Sequence, residues 1–245
     1  MGTAVWLAFF GLWELASNAG WAPKALLPPP QQVAMALYTL IAEKDFLYDI
    51  GMSVMRITVS FALACALAIP LGVLMGSFRR VEGFFNPLVS AWRYLPAPSF
   101  IPLLLMWFGT GEAAKLALLF IGVVWFLITL IMDHTRSIEK DLIDTARTLG
   151  ASRRQILARV VFPRVMPDII VTMRQLMAAA WTYLVIAEII AATDGIGAMM
   201  MRAKRFIHVD EIMAGILVIG ILGLSFDFLF RTVQRRYFDY GDHAA

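Results

Sequence analysis

The chain has 245 residues, 60% hydrophobic and 16% charged, with a mean hydropathy of +0.73 and a formal net charge of +3. Those proportions exclude an ordinary soluble domain of this length, and the apolar runs reach the roughly 20 residues with which a helix crosses a bilayer. The arginines cluster at segment ends rather than along one face, so a lipid bilayer is the expected partner and nucleic acid is not.

In chain order the sequence predicts six apolar spans in an all-α membrane protein. The first, about Ala4–Ala19, is short and carries Glu14; a cleaved signal peptide is the rival reading, but no basic stretch precedes it. Lys24 and Pro28-Pro29-Pro30 then form a stiff connector, and Gln31–Leu47 a surface helix with Val33, Leu37, Leu40 and Ile41 on one side; residues 26–50 together make an outer connector and surface helix. The second span runs from about Met52 to Gly76, the third from Pro87 to Phe108, and the fourth from Ala113 to Met132. The fifth is about Asp168–Ala192 and the sixth about Ile212–Phe230, ending in Arg231, Arg235 and Arg236. No internal repeat interrupts them, so residues 1–245 read as a single membrane domain. Cys65 stands alone inside an apolar run, and the three histidines are scattered, so neither a metal site nor a cofactor bound by this chain is expected.

Between the fourth and fifth spans lies a charged, helix-forming insert, residues 134–164. Asp144–Leu149 reads as a helix end, Gly150 as its left-handed stop, and Ser152 with Gln155 as the capping box that opens the next helix. Ile156, Leu157, Val160 and Val161 fall on one side of that second helix, with Arg153, Arg154 and Arg159 elsewhere. Pro163 is expected to end the turn sequence and Pro167 to mark the return to apolar sequence. A bent helix pair with one apolar stripe and a basic border suits a groove on a partner.

Basic residues orient the chain. With the N-terminus inside, Arg79, Arg80, Arg136, Lys140, Arg147, Arg153, Arg154, Arg159, Arg164, Arg231, Arg235 and Arg236 are internal. Lys24, Lys44, Arg56, Lys115, Arg202, Lys204 and Arg205 are then external, twelve against seven. The Arg202–Arg205 cluster either belongs to a short outer helix facing an acidic partner or is simply solvated.

Two segments could line a pathway. Pro96, Pro98 and Pro102 break a membrane-length run, and irregular backbone at that depth survives only against protein or a water-filled cavity. Arg93 supplies a positive charge beside the break, and Tyr94 and Ser99 supply hydroxyls, a set suited to a small anion; the alternative is that Arg93 reaches the inner headgroups and the prolines only kink the chain. In the fifth span Trp181, Thr182 and Tyr183 are mid-span pathway candidates, and Ala178, Ala179 and Ala180 permit close helix approach. Arg174 and Glu188, about 21 Å apart on a helix axis, cannot pair within it and either face the pathway or bond to neighbouring helices. There is no phosphate loop for ATP, and Asp133-His134 lacks a nucleophile, so no catalytic residue is expected.

The insert resembles the cytoplasmic coupling loop of ABC-importer permeases, an E-A-A, three residues, Gly, nine residues, I-x-L-P pattern. The corresponding residues here are Asp144, Thr145, Ala146, Gly150, Val160, Phe162 and Pro163, with Asp for Glu and Thr for Ala as departures. Arg93-Tyr94-Leu95-Pro96 through Ile101-Pro102-Leu103, then Trp107-Phe108-Gly109-Thr110-Gly111-Glu112 and Lys115, is similar to the signature of the nitrate/sulfonate/taurine branch. Trp13-Glu14-Leu15-Ala16, Leu27 to Pro30, Ala187-Glu188 and Gly215 to Ile219 are also similar to that branch. Tyr94, Ala97, Pro98 and Ser99 depart from the signature within the segment read as pathway, which leaves the substrate open.

The resemblance implies a type I ABC-importer permease fold in a bacterial inner membrane. It implies an ATPase-docking loop through Asp144, Thr145, Ala146, Gly150, Ala151, Ser152, Arg153, Gln155, Val160, Phe162 and Pro163. It further implies two separate ABC ATPase subunits holding ATP and Mg, a periplasmic or lipid-anchored substrate-binding protein, and a small anionic solute. Taurine or another sulfonate comes first, with nitrate, bicarbonate, cyanate, aromatic acids and pyrimidine precursors also carried by relatives. Six spans are few for a closed pathway, so a homodimer with the pathway on its two-fold axis is expected. An ion-gradient-driven transporter or channel would need coupling carboxylates, for which only Glu14, Glu188 and Asp227 qualify, and would leave the insert unexplained. A membrane assembly subunit would give the broken segment no purpose.

Overall fold

The computed structural model describes residues 2–20, 23, 25–191 and 193–238. Lys24, assigned above to the outer side, and Ala192, the expected end of the fifth span, lie outside the described residues. Among the described residues there is no strand. The helices are α1 (Gly2–Asn18), α2 (Pro30–Glu43), α3 (Phe46–Ser77), α4 (Arg79–Arg93), α5 (Ile101–Phe108), α6 (Glu112–Arg136), α7 (Lys140–Thr148), α8 (Arg153–Ile156), α9 (Phe162–Ala191), α10 (Ile196–Arg205) and α11 (Val209–Tyr237). A 3₁₀ turn, Ala97–Phe100, precedes α5, and a wide π turn, Leu157–Val161, joins α8 to α9.

Among the described residues four helices, not six, are long and apolar enough to cross a membrane: Phe46–Ser77, Glu112–Arg136, Arg153–Ile190 and Val209–Tyr237. The expected first span is α1, whose 17 residues reach only about 26 Å against a hydrocarbon core of about 30 Å. The expected third span is broken, since α4 ends at Arg93 and apolar helix resumes only over Ala97–Phe108. The surface helix also stops sooner than expected. It ends at Glu43, Asp45 takes a positive φ of 51°, and Phe46 already opens α3, so residues 46–50 belong to a long span rather than to the outer connector.

The chain falls into two compact units, Met1–Met55 with Leu184–Leu222, and Arg56–Tyr183 with Gly223–Ala245. In the first, Trp13 of α1, Val33 and Leu40 of α2, Phe46, Ile196 and Met199 of α10, and Ala214 and Val218 of α11 are buried together. Trp13 Nε1 donates to the Pro28 carbonyl at 3.0 Å and Ser17 Oγ to that of Leu27 at 2.8 Å, which ties the proline connector down. Pro30 sits at the first turn of α2, where a missing N–H costs nothing.

The second unit is organised around α6, which buries Leu118, Leu119, Val123, Val124, Leu127, Ile128, Ile131 and Met132. Gly76 lets α3 meet α6 closely: a Cβ there would lie 2.5 Å from Thr135 Cβ and 2.7 Å from the Met132 carbonyl oxygen. Gly122 makes the same room for the ring of Tyr183, and small residues at such crossings are what membrane helices use in place of a hydrophobic drive. Trp92 stacks on Phe100 at 5.4 Å and lies against Trp125 at 5.3 Å, holding the broken segment on α6.

Candidate functional site

The insert begins with α7 and closes on a Schellman turn. Ala151 N donates to the Ala146 carbonyl at 3.0 Å, Gly150 N to that of Arg147 at 2.9 Å, and Gly150 has φ +80°. Ser152 then caps α8: its Oγ accepts from Gln155 N and its own N–H donates to Gln155 Oε1 at 2.8 Å. Only Gly150 and Ala151 stand between the two caps, so the angle between the helices is set by very few dihedrals. Asp144 pairs with Arg147 at 2.9 Å, and Thr148 Oγ1 donates to the Asp144 carbonyl.

Two expectations for the insert change. Pro163 and Pro167 do not separate a short helix from a span; α8, the π turn and α9 form one helix over Arg153–Ile190. The ring of Pro163 would meet the Arg159 carbonyl in a regular α-helix, and the wider turn at Leu157–Val161 makes room for it. Nor is the stripe Ile156–Val161 free for a partner, because Ile156 and Val161 are buried within the chain. The apolar groups that remain outward are Leu142, Leu149 and Phe162, at 41%, 82% and 41% exposure. Thr145, Ser152, Arg153 and Gln155 are exposed beside them, with Ala146, Ala151 and Val160 half-buried.

The broken segment presents Tyr94, Pro96 and Ser99 outward, with Pro98 half-buried and the Arg93 guanidinium 5.4 Å from the Tyr94 ring centroid. On α9 the three adjacent candidates part company. Trp181 is buried against Phe226, Tyr183 is half-buried against Gly122, and only Thr182 is exposed. Thr182 shares its face with Gln175 and Ala178, both exposed, which makes a polar and small stripe on a helix otherwise rich in Ile, Val and Met. Arg174 lies 3.5 Å from Asp227, which also accepts from Arg231 Nε at 2.6 Å.

Three clusters were not apparent from the sequence. Glu188 is buried and accepts from Ser53 Oγ at 2.7 Å and Gly197 N at 2.9 Å. Ser53 Oγ accepts from Ile196 N, and Asp49 accepts from Gly195 N at 2.6 Å and Arg202 Nη2 at 2.5 Å. These side chains supply the first turn of α10 with the acceptors that its N–H groups lack within the helix. α10 is the short helix allowed for above, yet Arg202 is turned to Asp49 and only Lys204 and Arg205 remain exposed without an acid partner among the described residues. In the second unit Arg56, read as an outer charge, is instead fully buried; its Nε and Nη2 grip the Glu112 carboxylate at 2.7 Å each, and Lys115 Nζ reaches the same group at 2.7 Å. Glu112 and Lys115 are three residues apart and readable as neighbours; Arg56 is not.

Residues 68–239 match the family described as binding-protein-dependent transport system inner membrane component. The taurine transport system permease protein TauC of Escherichia coli is 34% identical over 215 residues, spanning 86% of this chain and 78% of that one. The putative aliphatic sulfonates transport permease protein SsuC of Escherichia coli is 30% identical, over 91% of this chain and 85% of its own. In fold the chain is similar to a chain of the MetNI methionine ABC transporter in an inward-facing conformation, with a TM-score of 0.70 at 18% identity, covering 78% of this chain and 95% of the other. An all-helical body with membrane-length helices and a match through most of the sequence lead to one assignment: the chain belongs to the binding-protein-dependent transport system inner membrane component family and is an ABC-importer permease.

Proposed function

We propose that this permease carries a small solute bearing an anionic group, taurine or a related sulfonate, delivered by a substrate-binding protein and driven by two ATPase subunits that hold ATP and Mg. The observation that carries the substrate reading is the 34% identity to a taurine permease through 86% of the chain. The cationic and hydroxyl-bearing groups Arg93, Tyr94 and Ser99, and the α9 stripe of Gln175 and Thr182, are the polar surface that such a solute would follow. Both belong to one compact unit. The polar stripe is costly against lipid and reasonable against water, or against a second copy across a two-fold axis. The insert lies in the cytoplasm on the ATPase side, the side on which most of the arginines and lysines gather. There the outward face of α7, with Leu142, Thr145 and Leu149, and the exposed residues after Gly150 are the docking surface.

The experiment is ATP hydrolysis and uptake by the permease reconstituted with its ATPase and binding protein. Taurine or an alkanesulfonate should stimulate both; stimulation confined to solutes with no sulfonate or other anionic group would reject the reading. The pathway assignment has its own check. In a Cys65→Ala background, cysteines at Tyr94, Ser99, Gln175 and Thr182 should react with small water-soluble thiol reagents, and reactivity should change when ATP is trapped. A cysteine at Trp181 should stay inert. Inertness at all four outward positions in both states would place these faces against lipid or packed protein.

A further inference from the structure

A groove of about 1460 Å³ opens between α7, the π turn and the adjoining ends of α3, α4 and α6. Its charged lining is uneven. Six cations, Arg79, Arg80, Arg136, Lys140, Arg147 and Arg153, face two carboxylates, Glu82 and Asp144. Arg136 pairs with Glu82, and Arg147 with Asp144, which leaves Arg79, Arg80, Lys140 and Arg153 with no carboxylate partner among the described residues. The Ser77 hydroxyl, at the same wall, is buried with no hydrogen-bond partner. The rest of the lining is apolar, including Met75, Ile143, Ile156 and Val161.

We infer that this groove holds the headgroup phosphate of an anionic phospholipid, with the start of its acyl chains on the apolar wall. Two observations favour a lipid over a protein segment. The groove sits where the apolar runs of two membrane-length helices give way to charge, α3 at Ser77 just before Arg79 and Arg80 and α6 over Asp133 to Arg136, a pattern that suits the headgroup layer. Its cations adjoin apolar side chains, which matches an amphiphile with one negative end. Ala151 and Arg153 border both the groove and the proposed docking surface, but on α7 the two faces diverge. Lys140, Ile143, Asp144 and Arg147 line the groove at positions i, i+3, i+4 and i+7 of α7, whereas Leu142, Thr145 and Leu149 lie on the opposite side of that helix. The inference does not depend on which solute is carried.

The test uses the permease–ATPase complex in lipid nanodiscs of phosphatidylcholine, with or without phosphatidylglycerol, and counts retained lipid by native mass spectrometry. The parent should retain phosphatidylglycerol in preference to phosphatidylcholine. The Arg79→Gln, Arg80→Gln, Lys140→Gln variant should lose that preference, by roughly fivefold for each charge removed. The variant with Arg79→Lys and Arg80→Lys should keep it, which separates charge from damaged folding. Equal retention of the two lipids by the parent would overturn the proposal. So would displacement of phosphatidylglycerol by millimolar inorganic phosphate, which would mark a soluble-anion site. Loss of ATPase subunits from the Gln variant, with lipid retention unchanged, would overturn it too by making the groove a protein interface.

Discussion

Replacing Gly150 by Val should reduce uptake at least about tenfold while the permease still inserts and assembles. Gly150 has φ +80°, and a Cβ there would meet nothing within 4 Å, so the penalty comes from the backbone alone and not from crowding. An L-residue in that region costs roughly 1–2 kcal/mol, and a β-branched one more, because its branch meets the following carbonyl. The turn would relieve the strain by giving up its two closing bonds, Ala151 N to Ala146 O and Gly150 N to Arg147 O. Those bonds fix the angle between α7 and the capped start of α8. A displaced α7 carries Leu142 and Leu149 out of the face proposed to dock the ATPase. Gly150→Asn is the control, since Asn visits the left-handed region at small cost and should stay near the parent. Normal substrate-stimulated ATPase and uptake in the Val variant would reject the docking role of this turn.

That turn was legible because every signal in it is local: a glycine stop, a Ser and a Gln three apart, charges on a short helix. The proline break at Tyr94–Pro98 was legible for the same reason. Pro163 and Pro167 misled because a proline reads as a helix end where water can take up freed carbonyls. Inside a bundle the chain keeps its helix and widens one turn instead. Faces were harder still. Trp181 and Thr182 are adjacent, yet one is buried and the other exposed, and a span apolar on every side offers little periodic contrast from which to tell them apart. Arg56 and Glu112 are separated by a whole span and a broken helix, so nothing in the sequence pairs them.

That last pair carries an expectation in which removing the acid does more harm than removing the arginine. The cluster has two cations on one carboxylate: Arg56 is wholly buried, the Lys115 side chain is 4% exposed, and Glu112 is 40% exposed. Glu112→Gln takes the shared carboxylate away from a buried guanidinium and a buried ammonium. The loss should be about 3 kcal/mol, the low end for breaking a buried ion pair, because the carboxylate itself is partly in solvent. Arg56→Met keeps the volume, removes one charge, and leaves Glu112 and Lys115 as a matched pair, so it should cost less. A double variant, Glu112→Gln with Arg56→Met, should recover part of what the acid substitution loses, because only one of the two cations on that carboxylate then remains. Thermal unfolding of the purified permease, read beside its steady-state level in the membrane, gives the order directly. If Arg56→Met unfolds at a lower temperature than Glu112→Gln, the Glu112 carboxylate is not what holds these charges inside the helix bundle, and the packing and other contacts of the arginine are.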